Sequence, residues 1–351
     1  MTLPVGFITS DDDLSKTLYV RPLAPYRQGR FAFGFYELIV RKNGQVTRYQ
    51  LGRAPLMEWA QNEGEDVVCY IGTLLDRTES TLKNYAGLQV INTPLIMGIV
   101  NVTPDSFSDG GDNFDAATAI AHGKMMVKAG ADILDIGGES TRPGAAPVSI
   151  EEEIRRVVPV IEGLQGQGVK ISIDTRNAAV MEAAVKAGAD IINDVTALEG
   201  AGALEVAARL DVPVMLMHMQ GEPQTMQANP VYDDCALDVY DYLAERIKAC
   251  EAAGIQRENI CIDPGIGFGK TLDHNLEVLN QLALYHGLGC PVLLGASRKS
   301  FIAKICGDMP AKDRLPGSLA AAIQGANTGM QFVRVHDVAE TKQALDVWTA
   351  Q

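Results

Sequence analysis

The chain has 351 residues, of which 47% are hydrophobic and 21% charged, a composition typical of globular proteins. It carries 30 Lys and Arg residues against 44 Asp and Glu residues, a formal net charge of −14. So acidic a chain argues against a nucleic-acid partner, which requires a basic surface. An anionic small substrate stays compatible with it, because a few local cations reverse the field inside one cleft.

The first 92 residues predict a small α+β unit in which no catalytic constellation is visible. Asn43-Gly44 lies between two apolar runs and predicts a tight hairpin. We expect residues 54–64 to form a helix, and the run DVVCYIGTLLD (66–76) to form a strand followed by a turn. The other predicted strands cover residues 17–23, 31–40 and 45–52.

From residue 93 onward, short apolar runs alternate with helical stretches. Most runs are continuous, which is typical of parallel strands buried on both faces. Eight such units in roughly 260 residues predict an α/β fold of the TIM (β/α)8 barrel type, with a doubly wound open sheet as the alternative. We therefore expect two domains, 1–92 and 93–351. The predicted barrel strands cover residues 95–102, 132–138, 170–175, 191–196, 213–219, 260–265, 291–297 and 332–337.

A polar or charged side chain occurs at the carboxyl end of every predicted barrel strand. In a TIM barrel those ends form the active-site face, and a barrel used only as a scaffold would not need polar groups at all of them. The residues are Asn101, Glu139, Asp174, Asn193, His218, Asp263, Ser297, Arg334 and His336.

Three of these residues, Asp174, Asn193 and Asp263, directly follow apolar strand residues. A polar group at such a partly buried position must find hydrogen-bond partners. Those partners could be neighbouring loop amides. The functional interpretation is a pocket of acceptors for a flat heterocycle rich in N–H donors.

Basic side chains cluster at three of the strand ends. One cluster precedes a predicted helix N-terminus, a position that favours anions, and another has two members that point to the same side of a strand. Each cluster alone could be surface charge, but together they predict a phosphorylated or pyrophosphorylated substrate. The clusters are Arg298 and Lys299 beside Ser297 and Ser300, Arg334 with His336, and Ser140 to Arg142.

Two other features point away from metal and nucleotide chemistry. His218 has no companion histidine at metal-ligand spacing, so we expect it either to be structural or to support a residue that contacts the ligand. DPGIGFGK is glycine-rich but lacks the GxxxxGK[ST] spacing of a phosphate loop. Phe268 within that segment is expected to be exposed and to stack on an aromatic substrate.

Cysteine usage and the N-terminus predict a cytosolic protein. The six cysteines form no CxxC or other metal-ligand spacing and are expected to be reduced thiols. The acidic N-terminal segment does not resemble a signal peptide. No apolar run approaches the length of a membrane span, so no membrane partner is expected.

Seven motifs together resemble the dihydropteroate synthase family. They are GIVNVTPDSFSDGG, DIGGESTRPGA, SIDT, INDVTA, DPGIGFGK, LGASRKSFI and RVHDV, and they occur in family order between about residue 95 and residue 348. The resemblance implies a TIM barrel that joins 6-hydroxymethyl-7,8-dihydropterin diphosphate to p-aminobenzoate, yielding 7,8-dihydropteroate and diphosphate in folate biosynthesis. It also implies Mg²⁺ as cofactor, inhibition by sulfonamides and a homodimer. Residues 1–92 depart from the family pattern, because most bacterial relatives begin close to the first barrel strand.

The same resemblance assigns roles to residues of this chain. The implied pterin-binding residues are Asp174, Asn193, Met217, Asp263, Gly295 and Lys299. The implied diphosphate-binding residues are Asn101, Thr141, Arg142, Arg334 and His336, and Asn101 is also the implied Mg²⁺ ligand. The residues implied around p-aminobenzoate are Phe107, Thr141, Pro143, Gly267, Phe268 and Ser297. Two lid loops are implied, one with Thr103, Asp105, Ser106 and Phe107, the other with Thr141, Arg142 and Pro143.

The implied catalytic residues are Asp174, Lys299, Arg334 and His336, acting in an SN1-like loss of diphosphate that needs no enzyme nucleophile. One rival hypothesis is a pterin-dependent methyltransferase, which would lack the lid loops and the SRK segment. Another is a degenerate paralogue that binds a partner through residues 1–92 and should have lost substrate residues. The sequence leaves open whether a different aryl amine is the acceptor.

Overall fold

The structure is a computed structural model that describes residues 3–350 apart from 4, 28–29, 33, 81–83, 90–91, 103–115, 141–147, 222–225 and 227–228. It consists of a small N-terminal α+β unit followed by a barrel of eight parallel strands. Both parts of the predicted fold class are therefore confirmed.

The N-terminal unit is a three-stranded antiparallel sheet, covered by two helices, in which strand β4 (Phe35–Lys42) lies between β1 (Leu18–Pro22) and β5 (Gln45–Gly52). The predicted hairpin is present: Asn43 and Gly44 join β4 to β5 with φ values of 53° and 72°, as a tight turn between twisted strands requires. The elements are α1 (Leu14–Thr17), β1 (Leu18–Pro22), β2 (Tyr26–Arg27), β3 (Arg30–Phe31), β4 (Phe35–Lys42), β5 (Gln45–Gly52), α2 (Arg53–Glu63) and α3 (Glu65–Glu79).

The prediction of a strand over residues 66–76 is wrong, because this segment lies inside helix α3. The β-branched and aromatic residues of VVCYI favour a strand locally. The apolar positions nevertheless recur with a helical period, which places them on one face of the helix. The buried residues of that face are Val67, Ile71, Leu74, Leu75 and Thr78.

All eight predicted barrel strands are confirmed. They pair in the order β11-β10-β9-β8-β7-β6-β13-β12, and a parallel bridge between Ile262 and Val292 closes the ring. The strands are β6 (Leu95–Asn101), β7 (Ile133–Gly137), β8 (Lys170–Asp174), β9 (Ile191–Asp194), β10 (Val214–Met217), β11 (Ile260–Asp263), β12 (Leu293–Leu294) and β13 (Phe332–Val335).

Helices surround the barrel, and a 3₁₀ segment (Leu282–Leu288) follows α9. None of the helices in the described ranges is both long and apolar enough to cross a membrane. The helices are α4 (Ala116–Lys128), α5 (Ile150–Leu164), α6 (Ala178–Lys186), α7 (Ala203–Leu210), α8 (Cys235–Ala252), α9 (Leu272–Asn280), α10 (Ser300–Cys306), α11 (Leu315–Asn327) and α12 (Val338–Thr349).

One apolar cluster fills the lower half of the barrel interior. It takes one residue from each of seven strands: Met97, Ile133, Ile191, Met215, Cys261, Leu293 and Phe332. Tyr85 joins this cluster from outside the strands, and its hydroxyl donates a hydrogen bond to the carbonyl of Val214 over 2.9 Å. Because Val214 begins β10, Tyr85 closes the N-terminal end of the barrel.

The N-terminal unit packs against the side of the barrel, on helix α8. Tyr19 of β1 contacts Tyr240 edge to face, with ring centroids 5.3 Å apart. Arg41 of β4 forms ion pairs with Asp238 and Asp241, the former at 3.0 Å. The unit thus has its own apolar core and an additional, partly ionic interface with the barrel.

Candidate active site

A layer of mostly polar side chains lies directly above the apolar cluster inside the barrel. Side chains alternate along a strand, so the residue two positions after each member of that cluster also faces the interior. On β8 the corresponding inward residue is Asp174. The layer comprises Ile99, Asp135, Asp174, Asn193, Met217, Asp263, Gly295 and Arg334, and it brings together five of the six predicted pterin-binding residues.

Arg334 and Asp135 organise one side of this layer. The Arg334 guanidinium donates from Nε to Asp135 Oδ2 and from Nη2 to Asp174 Oδ2, each over 2.6 Å. Asn193 donates to the same oxygen of Asp135 over 3.1 Å. The other oxygen of Asp135 is buried and accepts no hydrogen bond from the described part of the chain. Asp135 is the one charged group of the layer that the sequence prediction missed.

Two carboxylates share one guanidinium at this point, which leaves an excess negative charge. Burial raises the pKa of Asp174 to about 7, against the opposing effect of Arg334 and with the support of Asp135. Burial raises this pKa because low-dielectric surroundings disfavour the charged carboxylate, and Asp135 raises it further because two like charges repel each other. A ligand that brings N–H donors or positive charge would relieve this excess.

Asp263 and Lys299 form the opposite side of the layer. Asp263 Oδ1 accepts a hydrogen bond from the amide of Gly265 over 2.7 Å. A Cβ atom at Gly295 would lie 3.2 Å from Asp263 Oδ2 and 3.8 Å from Lys299 Nζ. Glycine at position 295 therefore leaves open the space between the carboxylate and the ammonium.

Lys299 precedes helix α10 and turns its side chain inward. Its ammonium donates to the carbonyl of Ile266 and lies 4.5 Å from the ring centroid of Phe268. Burial lowers the pKa of Lys299 to about 8, while Asp263 opposes that effect. Phe268 is half-buried rather than exposed as expected, because its ring supports the lysine.

Ser297 and His336 meet at the ends of the seventh and eighth strands. Ser297 Oγ lies 3.1 Å from His336 Nδ1 and accepts a hydrogen bond from the His336 amide over 3.2 Å. Gly267, with φ at 84°, approaches Lys299 so closely that a Cβ would lie 3.1 Å from its Cδ. Three of the residues predicted around p-aminobenzoate, Gly267, Phe268 and Ser297, thus cluster around Lys299 and His336.

The side chains of Arg298 and Lys299, which the sequence predicts to form one anion site, point to different places in the structure. Lys299 faces the interior layer, whereas Arg298 donates from Nε to Asp337 over 2.9 Å. Arg298 has a φ of 58°, and its amide donates to Ser318 Oγ over 2.8 Å. The expectation that Arg298 and Lys299 act as one anion site is therefore wrong: Arg298 joins the ends of the seventh and eighth strands instead.

Asn101 ends strand β6 beside Gly137. A Cβ at Gly137 would lie 3.7 Å from Asp174 Oδ2 and 3.8 Å from Asn101 Oδ1, so both oxygens border the same space. The lid-loop residues implied by the resemblance lie outside the described residues. These are Thr103, Asp105, Ser106, Phe107, Thr141, Arg142 and Pro143.

His218 is buried, as a structural role requires, and its Nδ1 lies 2.9 Å from Lys270 Nζ. Glu139, also at a strand end, pairs with Arg176 at 3.2 Å instead of entering the layer. The strand-end prediction therefore included residues that support loops as well as residues that face the interior.

Comparisons with known proteins agree with this geometry. The family model described as pterin binding enzyme matches residues 97–336. A dihydropteroate synthase of Escherichia coli strain K12 is 51% identical over 258 residues, which cover 73% of this chain and 91% of that protein.

Two solved structures share the fold. A Xanthomonas albilineans dihydropteroate synthase with 4-aminobenzoic acid has a TM-score of 0.71 and 51% identity, covering 76% of this chain and 96% of that one. A Yersinia pestis dihydropteroate synthase in a sulfonamide drug complex has a TM-score of 0.72 and 48% identity, covering 75% and 96%. This chain belongs to the pterin-binding enzyme family.

Proposed function

We propose that this protein is a dihydropteroate synthase, a transferase of folate biosynthesis. It would condense 6-hydroxymethyl-7,8-dihydropterin diphosphate with p-aminobenzoate and release 7,8-dihydropteroate and diphosphate. The observation that carries the proposal is the interior layer, in which Asp174, Asn193, Asp263 and Arg334 lie at one level of the barrel and Lys299 turns in beside Asp263. The relatives that share about half of the residues carry this name.

The interior layer suits the edge of a pterin. Carboxylates accept hydrogen bonds and the Lys299 ammonium donates them, so the ring's N–H groups would meet Asp174, Asp263 and the amide oxygen of Asn193, while Lys299 would donate to a ring acceptor. Met217 contributes an apolar wall at the level of Asp263, with which it pairs in register. We include Asp135 in this set, because one of its buried oxygens still needs a donor.

The reaction replaces the bond between the pterin methylene and a diphosphate oxygen with a bond to the aniline nitrogen. The departing diphosphate keeps the electron pair of the breaking C–O bond, and Arg334 and His336 would stabilise its charge. Asp174 would stabilise the positive charge that develops on the methylene, a form of electrostatic catalysis. The nitrogen of p-aminobenzoate then forms the new bond and releases one proton to solvent.

The acceptor would bind beside Phe268, Gly267 and Ser297. Phe268 offers an aromatic face, and Ser297 Oγ would donate to the carboxylate of p-aminobenzoate. Because Lys299 lies over the ring of Phe268, the same ammonium borders both the pterin space and the acceptor space. Holding the amine in line with the methylene would supply much of the rate enhancement. Thr141, Pro143 and Phe107 would complete this pocket from the two lid loops.

The residues present fit a magnesium ion held mainly by substrate. Within the described ranges, no group of three or more His, Cys, Asp or Glu side chains could hold a metal, and Asn101 offers a single amide oxygen. Mg²⁺ commonly keeps several waters and binds substrate phosphates together with one or two protein oxygens. Asn101 would supply such an oxygen, with Thr141 and Arg142 near the diphosphate, and bound Mg²⁺ would neutralise charge on the leaving group.

We further propose that the protein is a cytoplasmic homodimer inhibited by sulfonamides. Free, mostly buried cysteines support the cytoplasmic assignment. The sulfonamide complex of the Yersinia pestis relative supports the inhibitor assignment. Light scattering on the purified protein tests the dimer, since a monomer mass at micromolar concentration would exclude a stable one.

The decisive experiment mixes purified protein with Mg²⁺, the pterin diphosphate and p-aminobenzoate and measures dihydropteroate. We expect product at ordinary enzymatic rates, with a kcat of roughly 1–1,000 per second. A folded protein that binds the pterin yet makes no product would overturn the assignment in favour of another acceptor or a paralogue. Repeating the assay with other aryl amines identifies the preferred acceptor.

A further inference from the structure

A second buried lysine lies behind the acceptor space. Lys270 is 1% exposed and ranks among the largest fully buried side chains of the described residues. Within the described residues, the hydrogen-bond contacts of its Nζ are with two backbone carbonyls and a histidine ring, not with a carboxylate. A buried ammonium without a carboxylate partner is costly, so its retention calls for a role.

The Lys270 amine has three polar neighbours, all of them neutral groups. Nζ donates to the carbonyl of Gly265 over 2.9 Å and to the carbonyl of Phe268 over 3.2 Å. The third contact of Nζ is with His218 Nδ1, 2.9 Å away. The side chain thereby ties the loop after β11 to the end of β10.

Glycines in this loop allow its backbone to direct the Gly265 and Phe268 carbonyls at Lys270. Gly265, Gly267 and Gly269 have φ values of 70°, 84° and 60°, a region that L-residues with side chains rarely adopt. A Cβ at Gly265 would lie 1.9 Å from the carbonyl oxygen of His218. The glycines thus let the loop turn tightly against the end of β10, and the Lys270 side chain lies inside this turn.

The outer surface of the same loop carries two contacts of the acceptor space. The carbonyl of Ile266 accepts from Lys299, and the ring of Phe268 lies under the same ammonium. Asn275 Oδ1 accepts from the Gly267 amide over 2.6 Å and supports the loop from a second side. Displacement of Phe268 would therefore move Lys299 and the aromatic wall together.

We propose that Lys270 is a positioning residue for the aryl-amine acceptor: by holding the Gly265 and Phe268 carbonyls it sets the place of Phe268 and Lys299. The proposal rests on the proposed synthase function. Its effect should be unequal for the two substrates: Lys299 and Asp263 also border the pterin space, but Asp135 and Asp174 on the other side of that space are held by Arg334, whereas the aromatic wall of the acceptor space belongs to the loop that Lys270 holds. Loss of Lys270 should therefore affect acceptor binding more than pterin binding.

The test replaces Lys270 by methionine, which keeps most of the volume and removes the donors. We expect the KM for p-aminobenzoate to rise about tenfold or more, since displacements near 1 Å have large effects at reacting centres. The dissociation constant for the pterin diphosphate, measured by calorimetry, should rise clearly less than this KM, because Lys299 is one of several contacts on the pterin side. The wild-type protein is assayed first, so that a wild-type enzyme without synthase activity defeats the proposed function and not this inference.

A matched control separates positioning from general destabilisation. Gln331 is also buried, and it joins Val292 to Gly329 at the opposite end of the barrel through bonds of 2.7 Å each. Gln331→Met should lower the melting temperature without changing the KM for p-aminobenzoate. Equal effects of Lys270→Met on both substrates, or the same KM change in Gln331→Met, would overturn the proposal.

A milder variant covers the case in which Lys270→Met does not fold. Lys270→Gln keeps an amide donor for the loop carbonyls, and we expect a smaller rise of about threefold in the KM for p-aminobenzoate. Failure of both variants to fold would assign Lys270 to stability alone and would also overturn the positioning role.

Discussion

Arg334 and Asp174 form a single unit at the centre of the barrel, with Nη2 of the guanidinium 2.6 Å from Oδ2 of the carboxylate. The two residues would act on opposite charges in the same reaction. Arg334 would stabilise the negative charge of the departing diphosphate, and Asp174 would stabilise the positive charge on the methylene left behind. Their contact places the two developing charges next to each other. Changes at either residue should therefore act on the chemical step as well as on binding.

Asp174→Asn tests this arrangement with almost no change of volume. The amide still offers an oxygen, but the negative charge is lost, so the cationic methylene loses its stabilising partner. We expect kcat/KM for the pterin diphosphate to fall about 100- to 1,000-fold, an effect typical of removing one electrostatic stabiliser. Steady-state kinetics measures the fall, and circular dichroism checks the fold.

Asp190→Asn is the matched control for that experiment. Asp190 lies at the N-terminal side of β9 and pairs with Lys170 at 2.8 Å, far from the proposed substrate space. Activity should be retained in this variant. A comparable loss in both variants would show that Asp174 acts through stability rather than through charge at the reacting centre.

Two of the shifted groups of the site, Asp174 and Lys299, predict a narrow pH optimum. Burial raises the pKa of Asp174 to about 7, so below that pH the carboxyl is protonated and the negative charge needed for catalysis is lost. Burial lowers the pKa of Lys299 to about 8, so above that pH its donor charge is lost. kcat/KM for the pterin diphosphate should therefore be bell-shaped, with its maximum between these two values.

Lys299→Arg distinguishes this profile from titration of the substrates. A guanidinium stays charged throughout the range, so the alkaline fall should disappear in this variant even if the maximal rate is lower. The acid fall should persist, because Asp174 is unchanged. An unaltered alkaline fall in Lys299→Arg would assign it to another group.

Sulfonamides should inhibit the enzyme by binding in the space proposed for p-aminobenzoate. A sulfonamide presents an aniline ring like that of p-aminobenzoate, so it would compete for the contact with Phe268 and for the hydroxyl of Ser297. We expect inhibition competitive with p-aminobenzoate and not with the pterin diphosphate in initial-rate assays. A matched compound without the para-amino group is the control for specific recognition, and competition with the pterin instead would place the drug elsewhere.

The sequence predicts the barrel well because each strand is a continuous apolar run bounded by polar residues. The sequence-based prediction fails at residues 66–76, where β-branched residues suggest a strand. The helical spacing of Val67, Ile71 and Leu74 becomes evident only from their burial on one face of α3. Local propensity is a weak guide wherever burial on one face decides the outcome. The orientation of Arg298 was equally out of reach, since its partner Asp337 is 39 residues away.

Asp135 was missed for a different reason. Attention to strand ends selects Asp174, Asn193 and Asp263, but Asp135 lies in the middle of β7. Its signal was present, because a charged residue inside an apolar run must find a partner. Alternation along the strand places it on the same inner face as Ile133. The distant partner, Arg334, could not be identified from spacing, because 199 residues separate the two.

The ionic interface of the N-terminal unit should contribute to stability. Arg41 lies 3.0 Å from Asp238 and also pairs with Asp241, with side-chain exposures near one fifth for Arg41 and Asp241. Arg41→Ala leaves both carboxylates without their cation, so we expect a loss of about 2–3 kcal/mol in the free energy of unfolding. A double-mutant cycle with Asp241→Ala should give a coupling of about 1–2 kcal/mol in chemical denaturation.

Lys16→Ala is the control for the Arg41 experiment. Lys16 pairs with Glu245 in the same interface, but both side chains are more than half exposed, and exposed pairs contribute little. We expect no measurable change in stability from this substitution. Equal losses for Lys16→Ala and Arg41→Ala would indicate that the ionic contacts at this interface do not differ in strength.

Truncation should show where the N-terminal unit can be separated from the enzyme. Removing residues 1–80 deletes the antiparallel sheet and bares Tyr240 and Asp241 on α8, so the melting temperature should fall while synthase activity persists. Removing residues 1–88 also deletes Tyr85, whose buried ring and hydroxyl close the barrel floor, and we expect no folded enzyme. Activity assays and thermal melts of the proteins that lack residues 1–80 and residues 1–88 test these two expectations. An inactive but folded 81–351 protein would instead show that the N-terminal unit contributes to the active site.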